Sequence, residues 1–376
     1  MTAQMTAESR RSYIDWARGA AVLLMIEAHT TDAWTRPAAK QSLGFRNATV
    51  LGGFAAPMFL WLAGLGLVLA ASRAAQRTGS RTAAADAVCR RGMEIFLLAF
   101  LFRAQAFILS PGSHPITLFR VDILNVMGPA LFVTGLVWLL LDDVRTRVVA
   151  FGAIAAVIAL ATPIVRAAAA IDVLPIWMQW YLRPAGDYTT FTLFPWAGFV
   201  FAGACAGSLI ADRQTIAETR LLAAIATAGG VLVAIGFWTA AQPSIYASSS
   251  FWTSSPTWFA IRTGIVTLAL AMFYLLERIS LAVTRARIDS RFVRGVIRVW
   301  QEPLARIGRG SLFIYWIHVE LVYGYASWFW RGRLPLWATW IAFAAFAALM
   351  YAALVWRDRI AASWTRIGRS SFQEAS

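Results

Sequence analysis

The chain is short of charge. Asp, Glu, Lys and Arg make up 14% of its 376 residues, roughly half the share found in soluble domains, so an ordinary aqueous surface is excluded. Cysteine is nearly missing: Cys89 and Cys205 are the only two. With no CxxC and no Cys/His ligand spacing, a disulfide framework and a metal centre are both without support. No serine-hydrolase elbow, P-loop or dinucleotide-binding glycine fingerprint occurs, and Gly64 and Gly66 in LAGLGLVLA read as close helix contacts. Lysine is all but absent, a single Lys40 against 33 arginines in a net charge of +15. In a membrane protein such an excess speaks first of topology, and no nucleic-acid partner is expected.

What is abundant is apolar surface, at 59% hydrophobic residues. Runs of helix-spanning length recur from end to end between short polar or arginine-rich stretches, which predicts an all-α, polytopic transmembrane helical bundle and not a barrel. Ten spans are expected, at about 14–34, 50–72, 92–109, 123–141, 148–166, 190–210, 221–241, 257–277, 311–330 and 336–356. Basic residues resist translocation. With the N-terminus inside, cytoplasmic segments hold 23 basic residues and the opposite loops eight, while Arg18, Arg103 and Arg262 lie within spans. Both termini are therefore expected in the cytoplasm of a bacterium, with the protein in its inner membrane.

The expected organisation is a cytoplasmic tail over 1–13, a transmembrane domain over 14–356 and a second tail over 357–376, with no appended soluble domain. The polar start, followed by a helix bearing Asp15, Arg18, Glu27 and His29, does not fit a cleavable signal and is expected to stay attached. Within a basic interfacial loop at 278–310, Ile288, Phe292, Val296 and Val299 share one helical face and Arg287, Arg291, Arg294 and Arg298 another. That pattern predicts a helix on the inner leaflet, anchored to anionic lipid or gripping an anionic cosubstrate. The loop 242–256 is uncharged and rich in serine. Trp177, Trp180, Tyr181 and Trp252 belong to an interfacial aromatic belt or stack on a sugar ring.

A charged group inside a span costs roughly 2.5–3.5 kcal/mol, so it is expected to face a partner, water or a substrate. The first helix is the extreme case. Arg18 and His29 are eleven positions apart, which brings them within about 20° of one face and separates them by roughly 16 Å of rise. Asp15 and Asp32 complete an arc of about 100°, and Glu27 points elsewhere. A stripe of that length suits group transfer across the membrane, with histidine as the reacting base and arginine as a phosphate ligand. The competing assignment makes Arg18 a snorkelling residue paired with Asp15 and His29 a hydrogen-bonding residue of the bundle.

Other polar positions carry less. His318 in SLFIYWIHVELVYG and Glu320 face different directions, and His318 serves packing or substrate. Arg120 and Asp122 stand at the entrance of the fourth span with Asn125 one turn inward, as substrate ligands or loop anchors. Glu94, Arg103 and Arg262 are expected to close buried ion pairs, and His114 in SPGSHP to serve a turn.

YIDWARGAAVLLMIEAHT, APMFLWLAGLGLVLAASR, FRVDILNVMG, LFPWAGFVFAGACAG and SLFIYWIHVE, taken in order, resemble segments of the heparan-α-glucosaminide N-acetyltransferase-like family. They also resemble the wider acyltransferase-3 superfamily, which includes bacterial polysaccharide O-acetylases. Arg18 with His29 is similar to the Arg-x10-His spacing of the O-acylating branch. The resemblance implies transfer of an acyl group, typically acetyl, from cytoplasmic acyl-CoA as cosubstrate to a saccharide or glycan acceptor on the far side, with no tightly bound cofactor. It implies His29 as the catalytic group, either general base or acyl carrier, and Arg18 near the entry of the CoA phosphates; from their place on the same stripe, Asp32 is expected to act with His29 and Asp15 with Arg18. A large external domain, carried by some eukaryotic relatives, is not seen.

A solute transporter is the alternative class, since intramembrane Arg, Glu and His also line transport paths, but the two halves share no repeat and no matching pair of interrupted spans. A non-catalytic assembly partner for envelope synthesis would tolerate loss of His29. Topology is checked by fusing a fluorescent reporter to the C-terminal tail and by labelling single cysteines placed in loop 242–256. The reporter should fluoresce in the cytoplasm and the loop should react from outside; the reverse pattern would overturn the orientation.

Overall fold

The computed structural model describes residues 11–109, 114–211, 218–285 and 291–373. The protein is an all-α, polytopic helical bundle, and the described residues contain isolated bridges but no strand. The helices are α1 (Ser12–Trp34), α2 (Leu43–Gly52), α3 (Ala55–Thr78), α4 (Arg81–Leu109), α5 (Ile123–Leu140), α6 (Val144–Ala167) and α7 (Ile176–Leu182). They continue as α8 (Leu193–Ala211), α9 (Glu218–Ala240), α10 (Pro256–Arg285), α11 (Arg291–Arg309), α12 (Ser311–Tyr323) and α13 (Leu336–Gln373).

Helices occupy all ten expected positions, yet eight among the described residues are long and apolar enough to cross a membrane by themselves. The two that are not, α1 and α12, fail for different reasons. The 23 residues of α1 would span about 34 Å, but they carry Asp15, Arg18, Glu27 and Asp32. The 13 residues of α12 reach only about 20 Å, short of the hydrocarbon thickness. Both therefore depend on neighbours for cover.

The chain forms two compact units, residues 56–275 and residues 1–55 with 276–376. In the first unit, small residues let backbones approach, which is how helices associate where lipid removes the hydrophobic drive. A Cβ at Gly64 would meet the Val200 carbonyl of α8, and one at Gly203 would meet the Trp61 carbonyl of α3. Gly92 and Gly128 do the same between α4 and α5. The exposed apolar residues repeat at helical spacing, as with Leu97, Leu101 and Ile108 on α4 and Val157, Leu160 and Ile164 on α6. Such faces suit a lipid solvent.

In the second unit, α1 is surrounded by α2, α11, α12 and α13. The α11 crossing is close: a Cβ at Gly19 would meet the Leu304 carbonyl, and one at Gly308 the Asp15 carbonyl. Trp16 meets Trp300 edge to face at 5.1 Å. Within the segment 278–310, expected on the inner leaflet, the C-terminal half of α11 packs on α1. Arg287 and Ile288 lie outside the described residues, as do the side chains of residues 291–298, while Val299 is exposed.

The glycine crossings are tested by two substitutions. Gly203→Ala should destabilise the protein by about 1–3 kcal/mol, as forced overpacking does. Gly230→Ala, which has open space around it, should stay within about 1 kcal/mol of the parent. Thermal unfolding in detergent reads both, and equal melting temperatures would remove the steric account.

Candidate active site

The start of α1 is held by polar contacts. Its first turn has unpaired backbone donors, and the Tyr13 N–H donates to the Glu277 carboxylate at 3.2 Å, where the helix dipole favours negative charge. Three residues on, Arg18 Nη1 lies 3.4 Å from Asp15 Oδ1. Asp15 is buried and Arg18 partly exposed. The paired geometry of the competing assignment is therefore present. Asp15 thus serves as the partner of the Arg18 guanidinium.

Eleven residues up the helix, His29 meets His318 of α12. Their nearest nitrogens, His29 Nδ1 and His318 Nε2, are 2.8 Å apart, with ring centroids at 5.0 Å and planes inclined by 5°. Rings stacked face to face would need about 3.5 Å between atoms, so these are joined edge to edge by a hydrogen bond. The other nitrogen of His318, Nδ1, lies 2.9 Å from the carbonyls of both Ile314 and Tyr315. Carbonyls only accept, so His318 Nδ1 carries a proton and donates it to them. In the neutral ring His318 Nε2 is then an acceptor, and His29 must donate to it through Nδ1–H. The lone pair of His29 is left on Nε2. His318 is fully buried and His29 half-buried.

Asp32, one turn beyond His29, is exposed. Its carboxylate accepts from Tyr323 Oη at 3.0 Å and lies 3.2 Å from Lys40 Nζ. Tyr323 also stands edge-on to His29, with centroids 5.6 Å apart. The end of α1 therefore gathers two imidazoles, a phenol, a carboxylate and the one lysine of the chain. Glu27 faces the opposite way, as its periodicity requires. It is buried against Gly52, with Oε1 accepting from Thr31 at 3.1 Å and Oε2 without a hydrogen-bond partner among the described residues.

The remaining candidates belong to the other unit, where Asp122 and Asn125 cap a helix. The Asp122 N–H donates to Asn125 Oδ1 at 2.9 Å, and Asn125 Nδ2 donates to the Tyr181 hydroxyl at 3.3 Å. Arg103 pairs with the buried Asp122, an ion pair of the expected kind. Glu94 instead pairs with Arg91 on an exposed face at 2.9 Å, and Arg262 lies over the Trp258 ring at 4.6 Å. Arg120 donates to Thr190 Oγ1 at 3.2 Å, beside the bridge that joins Val121 to Thr189. Trp180 is 2% exposed and stacked on Tyr188 with centroids 4.8 Å apart. Its faces are taken, which removes it as a platform for a sugar. Trp177 and Trp252 stay exposed, and His114 caps a turn through the Ile116 N–H.

The histidine pair escaped sequence reasoning, because nothing in a sequence joins positions 289 residues apart. A signal did exist: two of the three histidines of the chain sit in otherwise apolar helical segments, each with an acidic residue two or three positions on.

A comparison with curated proteins finds no match. The family model described as heparan-alpha-glucosaminide N-acetyltransferase, catalytic, matches residues 10–247. That region is well over half of the chain and contains the whole of α1 with Asp15, Arg18, His29 and Asp32; the segment bearing His318 lies beyond it. By that match over most of a helical membrane bundle, the chain belongs to the heparan-alpha-glucosaminide N-acetyltransferase family, a family of membrane acetyltransferases.

Proposed function

We propose that this protein moves an acetyl group from cytoplasmic acyl-CoA to a saccharide acceptor on the outer side of a bacterial inner membrane, with His29 as general base. The observation that carries the proposal is the hydrogen-bond chain from the Ile314 and Tyr315 carbonyls through His318 to His29. It leaves His29 Nε2 unprotonated and the ring fixed in orientation, which is what a base needs before it can accept a proton.

In the transfer step His29 Nε2 takes the proton from the acceptor amine or hydroxyl as that atom bonds to the acyl carbon. The carbon–sulfur bond breaks, and the leaving thiolate recovers the proton from Nε2. While His29 is an imidazolium, its Nδ1–H bond to the neutral His318 strengthens, as hydrogen bonds from a charged donor do. The Asp32 carboxylate one turn away adds a favourable field. His29 is then a catalytic residue and His318 a positioning residue. Arg18, with its guanidinium held by Asp15, is the group for the CoA phosphates near the cytoplasmic mouth. An acyl-histidine intermediate would use the same Nε2 lone pair as a nucleophile.

Membrane vesicles supplied with labelled acetyl-CoA and a glucosamine-terminated acceptor test this reading. His29→Ala should lower transfer by roughly 10²–10⁴-fold while the protein still inserts. His318→Ala should lower kcat about 10–100-fold with KM little changed, the pattern of a lost orienting partner. Full activity in His29→Ala would overturn the assignment of the base, and full activity in His318→Ala the role of the pair.

A further inference from the structure

The unit formed by residues 56–275 holds a cleft of about 510 Å³, within the range of small-molecule sites. Its polar wall is Arg166 from the last turn of α6 with Ser248, Ser249, Ser250, Thr253 and Ser254 from the loop before α10, and the rest is proline and alanine. The loop is built and anchored. The Tyr246 hydroxyl donates to the Leu160 carbonyl of α6 at 2.9 Å, and the Ser250 N–H donates to Ser254 Oγ at 2.9 Å within a tight turn. Ser254 is thereby used by the fold. The hydroxyls of Ser248, Ser250 and Thr253 make no hydrogen bond to any described residue and are exposed.

Arg166 is the charged group of the cleft. Its Nε and Nη2 donate to the Phe194 carbonyl at 3.2 and 2.9 Å, and Nη2 also to Thr192 Oγ1 at 2.8 Å. These contacts occupy one edge of the guanidinium. Nη1 has no partner among the described residues, and no carboxylate there lies in ion-pair reach of Arg166. A partly buried guanidinium without a counter-charge, in a wall of unpaired hydroxyls, calls for a ligand that supplies an oxyanion together with several hydroxyl groups.

We infer that this cleft binds a polyhydroxylated monoanion of the sugar-acid type: Arg166 Nη1 takes the carboxylate, and Ser248, Ser250 and Thr253 exchange hydrogen bonds with the ligand hydroxyls. The same oxyanion chemistry could come from a lipid phosphate. A lipid headgroup site usually draws on several clustered basic residues, and here Arg166 is the one basic residue of the wall. The sugar acid is therefore the better fit. This site does not rest on the histidine pair, and its test reads binding and not transfer.

The experiment is calorimetric titration of the full chain in detergent with glucuronate, glucose and inorganic phosphate, repeated in nanodiscs with and without phosphatidylglycerol. Glucuronate should bind at least about tenfold tighter than either glucose or phosphate, since each lacks one half of the recognition. Arg166→Gln should weaken glucuronate by a similar factor. Because that change also cuts the tie to Phe194, Ser248→Trp serves as a second variant. It fills the cleft, leaves Arg166 in place, and should abolish binding at an unchanged melting temperature. Equal affinity for glucose, or glucuronate binding unaffected in the stably folded Ser248→Trp, would overturn the inference. So would loss of glucuronate binding whenever phosphatidylglycerol is present, which would make the cleft a lipid site.

Discussion

A polar group in hydrocarbon has no water to turn to, so it must find its partner inside the protein. Most of the arrangement around α1 follows from that constraint. Asp15 and Arg18 pair with each other, the Tyr13 N–H meets Glu277, and Asp32 is met by Lys40 and Tyr323. His29 is met by His318, and because His318 is itself satisfied by carbonyls of its own helix, the pair needs no carboxylate to define its protonation. The same bonds that make the histidines tolerable in the bundle set the lone pair where chemistry can use it. Glu27 stands apart, with one oxygen satisfied by Thr31 and the other by no described residue.

The preference for arginine over lysine has a related cause. Arginine presents several donors in a planar fork and can satisfy more than one carbonyl at once. Arg81 does so at the end of α5, donating to the carbonyls of Trp138, Leu139 and Leu141 while lying over the Trp138 ring at 4.6 Å. Arg166 joins Phe194 to Thr192 in the same way. Lys40, a point charge on a flexible stem, sits at the exposed end of α1, where such precision is not required. Positive charge therefore serves the fold as well as the orientation of the chain in the membrane.

Packing divides along similar lines. Where helices meet without polar partners, glycine does the work: Gly64 and Gly203 bring α3 and α8 close enough for backbone atoms to touch, and Gly19 and Gly308 do so for α1 and α11. The close approach at Gly19 lies one residue from Arg18.

Composition and periodicity were enough to establish a helical membrane bundle, because the hydrophobic length of a bilayer is written directly into runs of residues. They also placed Arg18, His29, Asp15 and Asp32 on one face of α1 and Glu27 on the other, since a helix turns by the same angle wherever it occurs. What they could not supply was any partner across helices. The pairing of His29 with His318, of Arg103 with Asp122, and the burial of Trp180 against Tyr188 join segments whose separation in sequence carries no distance information. The charge on α1 was visible in the sequence, whereas α12, with only 13 residues, looked like a span of the ordinary kind. Only the tertiary structure reveals that each has the other as a polar partner, and a histidine becomes a base of defined tautomer only when a second group fixes its proton.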